Sequence, residues 1–288
     1  MYDGMTFVLE RSHHPSRRRP RRGASFVLFQ LSSPILAVGL LVLVVGSAIG
    51  GLLVGRSRRA HQGLKESSGV LQGALLGFMG LILAFGLSLA LGRYEDRRAA
   101  LVEDANTIGT TYLRAQTLAE PERSQSMALL VEYADVELEL TDEVPGSDAA
   151  ERTIAEGSAL QRQLWALAGQ ALRQDPRNTA PRLYVESLNE MIDQQTVRVA
   201  GLNNRVPTEV LILEVIGSAI AMFLLGLHVG LLGRSLLPLL LASCLVTMLL
   251  FAVFDLDRPT RGFIEIPNTP LATLRTSMND PPAAGSAP

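Results

Sequence analysis

The sequence predicts an all-α fold: a four-span helical membrane protein with a helical extramembrane bundle between the second and third spans. Three observations carry this expectation. Mean hydropathy is +0.24, with 48% apolar and only 19% charged side chains, where a soluble domain averages about 25% charged. Four stretches with almost no charge reach the roughly 20 residues that a helix needs to cross a bilayer. The long segment between the second and third of them keeps helical periodicity throughout and shows no strand-rich region.

Residues 1–34 read as a basic, disordered arm, in which Arg17, Arg18, Arg19, Arg21 and Arg22 would attract anionic headgroups. Residues 35–92 form the first transmembrane hairpin. Its first span, 35–54, carries no charge. It is longer than the apolar core of a signal peptide, and Gly55-Arg56-Ser57-Arg58-Arg59 follows where a small-residue cleavage site would stand, so it is expected to stay as an anchor. The second span, 70–91, has Gln72 as its one strongly polar side chain. Glycine pairs four residues apart, at Gly46/Gly50, Gly51/Gly55, Gly73/Gly77 and Gly226/Gly230, mark faces where two backbones can approach in lipid.

No break separates Leu91 from Arg93, so the second span is expected to run straight out of the membrane into the extramembrane domain, 93–206. There Leu101, Ala105, Ile108, Tyr112, Ala115 and Ala119 recur at alternating steps of four and three, a seam for another helix. Pro121 ends that element and opens the next, whose apolar face is Met127, Leu130, Ala134 and Leu138. The run from Asp135 to Leu140 alternates like a strand, but without a partner strand it is taken as helix. After the Pro145-Gly146 turn, Asp148 with Glu151 resembles a capping box, and Leu160, Leu164, Leu167 and Ala171 line the helix that follows. Asp175-Pro176 closes it. The last helix carries Val185, Leu188, Ile192, Gln195, Val199 and Leu202; a glutamine in such a seam can fix register or oligomer state, and the other reading is a half-exposed side chain.

Val206-Pro207-Thr208 then breaks the chain, with Thr208 as the expected cap of the third span. The second transmembrane hairpin, 207–258, holds the spans 210–232 and 236–254, the latter with Pro238 in its first turn. Residues 259–288 read as a mostly disordered tail. The arginines flanking the spans on the side of the middle domain outnumber those on the other side, so the positive-inside rule favours a cytoplasmic middle domain.

Candidate functional residues follow from position. Phe78, Ile82 and Phe85 share one face of the second span; repeated around a symmetry axis they would make an apolar constriction that gates by dewetting, and otherwise they pack against lipid or a helix. Glu214 and His228 are ionisable groups within the third span. Such groups are costly there and often line ion or proton paths. Glu214 could instead reach back to the interface beside Arg205, and His228 could meet headgroups at its end of the helix. Arg93, Arg97, Arg98, Arg205, Asp255, Asp257 and Arg258 gather at one membrane boundary and suggest an interfacial belt of ion pairs. A cation site at Asp255 and Asp257 is the other reading, opposed by the interleaved arginines.

Several classes are disfavoured. A net charge of −2 does not suit a nucleic-acid binder. Cys244 stands alone, which forbids an intrachain disulfide, and the four histidines are scattered. No nucleophile elbow, phosphate loop or nucleotide fingerprint is present, so neither an enzyme nor a cofactor is expected.

Residues Leu83-Ala84-Phe85-Gly86-Leu87-Ser88-Leu89-Ala90, then Arg97-Arg98, then 103–115 from Glu103 to Ala115, resemble the uncharacterised bacterial membrane proteins with a bestrophin-like domain. Leu188-Asn189-Glu190-Met191-Ile192-Asp193 and Asp255-Leu256-Asp257-Arg258-Pro259 with Arg261-Gly262 extend the resemblance, which covers roughly residues 30 to 275. True bestrophins, more distantly similar, are pentameric calcium-regulated anion channels with four spans, cytosolic termini and an aromatic neck on the second span. The resemblance implies that Phe78, Ile82 and Phe85 would line that neck. It finds no counterpart of the acidic calcium clasp. The expectation is therefore an oligomeric bestrophin-like ion channel or permeability protein of the bacterial inner membrane. Its partners would be the bilayer, further copies of itself and small ions; the alternative is a non-conducting membrane-anchored helical sensor or scaffold.

Overall fold

The computed structural model describes residues 32–58, 63–233, 235–258, 260 and 262–281. Residues 1–31 of the basic arm lie outside these residues, as do Arg59, Arg234 and Arg261, while its last two residues already open the first helix. The described residues are helical apart from short connections, and no strand occurs among them. In chain order the helices are α1 (Ser33–Ser57), α2 (Gly63–Ala115), α3 (Glu122–Asp142), α4 (Asp148–Gln174), α5 (Thr179–Asn203), α6 (Thr208–Leu232), α7 (Leu237–Leu256) and α8 (Thr269–Ser277). Four of them contain stretches long and apolar enough to cross a membrane: α1, the first part of α2, α6 and α7.

These spans do not pack as the two hairpins that chain order suggests. α1 lies chiefly against α6 and then α7, while α2 lies against α6 and α7 and, in the lobe, against α5. Glycine decides the pairing. A Cβ at Gly51 would fall on the backbone carbonyl of Phe223, and one at Gly226 on that of Ala48; Gly55 and Gly230 repeat the contact one turn on. Of the expected glycine faces, Gly51/Gly55 and Gly226/Gly230 therefore meet each other. Gly46, Gly73 and Gly77 face nothing within 4 Å. Where burying apolar groups gains nothing, such close approach of backbones is what holds two helices together.

α2 runs for 53 residues without interruption, because no proline interrupts it after the membrane segment. Its outer half supplies Leu101, Ala105, Ile108, Tyr112 and Ala115 to the core of the lobe, all buried; Ala119 lies beyond the helix and is exposed. Leu130 and Tyr133 of α3, Leu164 of α4 and Leu188 and Met191 of α5 complete that core. Asp135 to Leu140 is helical, as expected, with Val136, Glu137 and Leu140 buried. Two caps differ from expectation. Ser147, one residue before Asp148, has the extended backbone of an N-cap and its hydroxyl accepts from the Ala150 N–H at 3.1 Å. Thr208 is already helical and makes no cap bond, because Pro207 occupies the cap.

Within the tail, the described residues 262–281 are also more ordered than expected. Asp255 at the end of α7 accepts backbone N–H bonds from Phe263 and Ile264 at 2.8–2.9 Å. The chain then turns into α8, whose Leu271 is fully buried. Tyr112 donates its hydroxyl to the Met278 carbonyl at 3.0 Å. Leu271, Leu274 and Met278 recur at helical spacing and cover the side of α2 that Gly109 leaves bare, which is why this segment folds onto the lobe.

Candidate functional site

The second span sits at the edge of the membrane bundle. Only 22% of its apolar stretch is covered by the rest of the chain, against 33% in each of the other three spans. Met79, Leu83 and Ala90 form its packed strip. Phe78 and Phe85 lie on the neighbouring strip with Ile82 between them, and they remain 58% and 62% exposed. The chain itself leaves this face uncovered.

Both ionisable residues of the third span are seated on glycines of α2. The His228 ring is half-buried and lies where a Cβ at Gly69 would come within 3.1 Å of it. Glu214 is fully buried, and its carboxylate occupies the space a side chain at Gly86 would need. It does not reach back to Arg205, whose charge acts on Asp257 instead.

At the foot of the spans, Arg97 joins three elements. Its guanidinium donates to the carbonyls of Gly201 (3.2 Å) and Asn204 (3.0 Å) at the end of α5 and of Leu256 (3.2 Å) at the end of α7. Helix C-termini present unsatisfied carbonyls and a partial negative charge, and a buried arginine answers both. It also pairs with Asp257 at 3.4 Å. Asp257 accepts from the Val206 N–H at 2.9 Å, which fixes the break between α5 and α6. Burial pushes the Asp257 carboxyl up and the Arg97 guanidinium down, and their attraction opposes both shifts. Of the expected belt, Arg97, Arg205 and Asp257 come together; Asp255 binds backbone, Arg93 is half-buried, Arg98 is exposed and Arg258 is buried. Among the described residues no three His, Cys, Asp or Glu side chains converge as metal ligands would.

A second polar cluster lies deeper in the lobe. Arg198 of α5 is 2.7 Å from Asp104 of α2 and 2.5 Å from Glu137 of α3. Gln195 donates to Glu137 at 2.5 Å, and Gln161 of α4 donates to Gln195 at 2.7 Å and to the Tyr133 hydroxyl at 3.1 Å. Four helices thus meet in one buried network of two acids and one base. Burial first, and the neighbouring Glu137 second, raise Asp104 to about 7 against the pull of Arg198. Between this network and Arg97 lies a cavity of about 30 Å³, lined by both arginines with Leu101, Leu202 and Thr260. That is room for one or two waters.

The sequence singled out Gln195 and Arg97, included Gly86 and Asp104 only within the stretches that carry the family resemblance, and gave no role to Glu137, Gln161 or Arg198. The signal for the lobe residues is their register: Asp104 adjoins the seam at Leu101 and Ala105, and Glu137 and Arg198 fall on stripes otherwise made of buried side chains. For Gly86 there was no local signal, since its partner is 128 residues away in the chain.

The family model described as the Bestrophin-like domain matches residues 37–271. Two crystal structures of a bacterial bestrophin homologue from Klebsiella pneumoniae share the fold, one with an isoleucine-to-threonine mutation and one with a tryptophan-to-alanine mutation. The first has 14% sequence identity and a TM-score of 0.62, and the match covers 82% of this chain and 97% of the homologue. The second has 13% identity and a TM-score of 0.59, covering 83% and 95%. Among curated proteins, none matches the chain.

Proposed function

Since this chain belongs to the bestrophin-like family, we propose that it is an oligomeric ion channel of the bacterial inner membrane, with α2 lining an axial pore and the helical lobe in the cytoplasm. The observation that carries the reading is the uncovered strip of α2. The span least covered by its own chain is the one that carries Phe78, Ile82 and Phe85 on a single face. Copies arranged about an axis would bring these side chains into a ring, and an apolar ring of this kind closes a pore by excluding water rather than by charge. At the lobe end of such a pore Arg97 and Arg205 both act on Asp257 and Arg93 adds its charge beside Arg97, an excess of positive charge that favours anions. No catalytic role is assigned to any residue.

Reconstitution into liposomes tests the reading. Flux of small ions from vesicles, altered when Phe78→Ala and Phe85→Ala widen the ring, supports it. A protein that is monomeric in lipid nanodiscs and gives no flux overturns it. In that case the rigid lobe, joined to the membrane by one unbroken helix, favours the membrane-anchored sensor or scaffold.

A further inference from the structure

Within the bundle of spans, Glu214 stands out among the buried polar groups. It is the only acidic residue in the four apolar stretches 35–54, 70–91, 210–232 and 236–254. It is fully buried, and neither carboxylate oxygen has a hydrogen-bond partner. One turn further along α6, Ser218 is 1% exposed and its hydroxyl is also unpartnered. Hydroxyls in membrane helices ordinarily donate to the carbonyl four residues earlier. Ser243 and Thr247 of α7 do so here, each at 2.8 Å. Ser218 does not, so two polar groups on one face of α6 are left for each other and for a ligand.

The surroundings define that ligand. Across the seam, Gly86 admits the carboxyl, and the Met79 thioether lies on Gly217 beside it. Leu83 and Ala90, both buried, continue the wall. The apolar stretches of α1, α2 and α7 bring no Asp, Glu, Lys, Arg or His to the site, and Cys244 of α7 is exposed. On α6 itself the nearest titratable residues are Glu209, more than a turn earlier, and His228, about four turns later, against Gly69. An ionised carboxylate without a partner is several kcal/mol out of place in such surroundings. The ligand that removes the penalty is therefore positive and small. One carboxylate and one hydroxyl fall well short of the six or more oxygens that a calcium ion takes.

We propose that Glu214, with Ser218, is an intramembrane proton-binding site in the seam between α2 and α6. Bound, the proton makes the carboxyl a neutral donor that the apolar wall accepts. Released, it leaves a charge pressed against Gly86, the residue next to Phe85. Proton binding stands whether or not the protein conducts; only its coupling to the Phe85 strip rests on the channel reading.

Infrared difference spectroscopy of the full-length protein in lipid nanodiscs, wild type minus Glu214→Gln, tests this directly. The near-isosteric variant is first matched to wild type by size-exclusion profile. The expected result is a protonated-carboxyl band that converts to carboxylate bands as pH rises and is absent from the variant. Ser218→Ala should move the midpoint of that conversion upward, because the ionised form loses an unpartnered buried hydroxyl one turn away that is available to donate to it. Carboxylate bands alone at every pH, or a protonated band that no pH change alters, overturn the proposal. So does loss of the band when sodium chloride replaces choline chloride at fixed pH, which assigns the site to a metal cation. Liposome flux measured in parallel reads the channel hypothesis separately.

Discussion

The guanidinium of Arg97 and the carboxylate of Asp257 face each other at 3.4 Å where neither side chain is more than 2% exposed. The pair locks the extramembrane lobe to the membrane bundle, since Arg97 also holds the last carbonyls of α5 and α7 and Asp257 holds the first N–H before α6. Arg97→Met removes the charge and leaves Asp257 buried without its partner. Breaking a buried pair in this way costs about 3–5 kcal/mol. Thermal unfolding in detergent should show a large fall in melting temperature, and adding Asp257→Asn should recover part of it. An Arg97→Met protein as stable as wild type would show that the pair holds nothing.

The glycine faces can be ranked. Gly226→Ala drives a methyl into the Ala48 carbonyl, and Gly51→Ala into that of Phe223. Both should detach α1 from α6 and lower thermal stability sharply. Gly46→Ala meets nothing within 4 Å and should be neutral or stabilising by up to about 1 kcal/mol, the helix-propensity difference. Equal losses at Gly46 and Gly226 would contradict the pairing.

The lobe network sets a pH dependence. Asp104 is raised from 3.8 to about 7 in the folded protein. Folding therefore takes up a proton between those values. The stability this contributes is complete below pH 4 and is lost as pH rises through 7. Melting temperature should fall between pH 5 and pH 8, and Asp104→Asn should flatten that fall. A rise over the same range in wild type would reverse the sign and refute the assignment.

Removing the C-terminal helix should weaken the lobe. Leu271→Ala deletes a fully buried side chain, and losses of about 2–5 kcal/mol are usual for such a change. Limited proteolysis should then cut near α8 before it cuts the spans. Unchanged resistance would mean that α8 only rests on the surface.

The all-α class, the four spans and the unbroken exit of α2 were legible in the sequence, because apolar length and helical period are local properties. The glycine pairs were legible too, but not which pairs meet: Gly51 finds Gly226 through a contact that no local pattern encodes. The same limit hid the site at Glu214. Its cost in hydrocarbon showed at once, whereas the glycine that makes room for it lies on another helix. In the lobe, Gln195 showed as a polar residue in an apolar seam, whereas the burial of Glu137 and Arg198 could be read only from their register on stripes of buried side chains. The tail misled because a single turn of apolar residues around Leu271 carries too little period to stand out.

One helix of 53 residues joins Phe78 to Tyr112. At about 1.5 Å per residue it is a shaft roughly 80 Å long. It contains no proline, and it stays helical through Gly92 at the bilayer boundary. A torque applied where α5 and α8 pack on its far end therefore has a continuous helical path to the bilayer half.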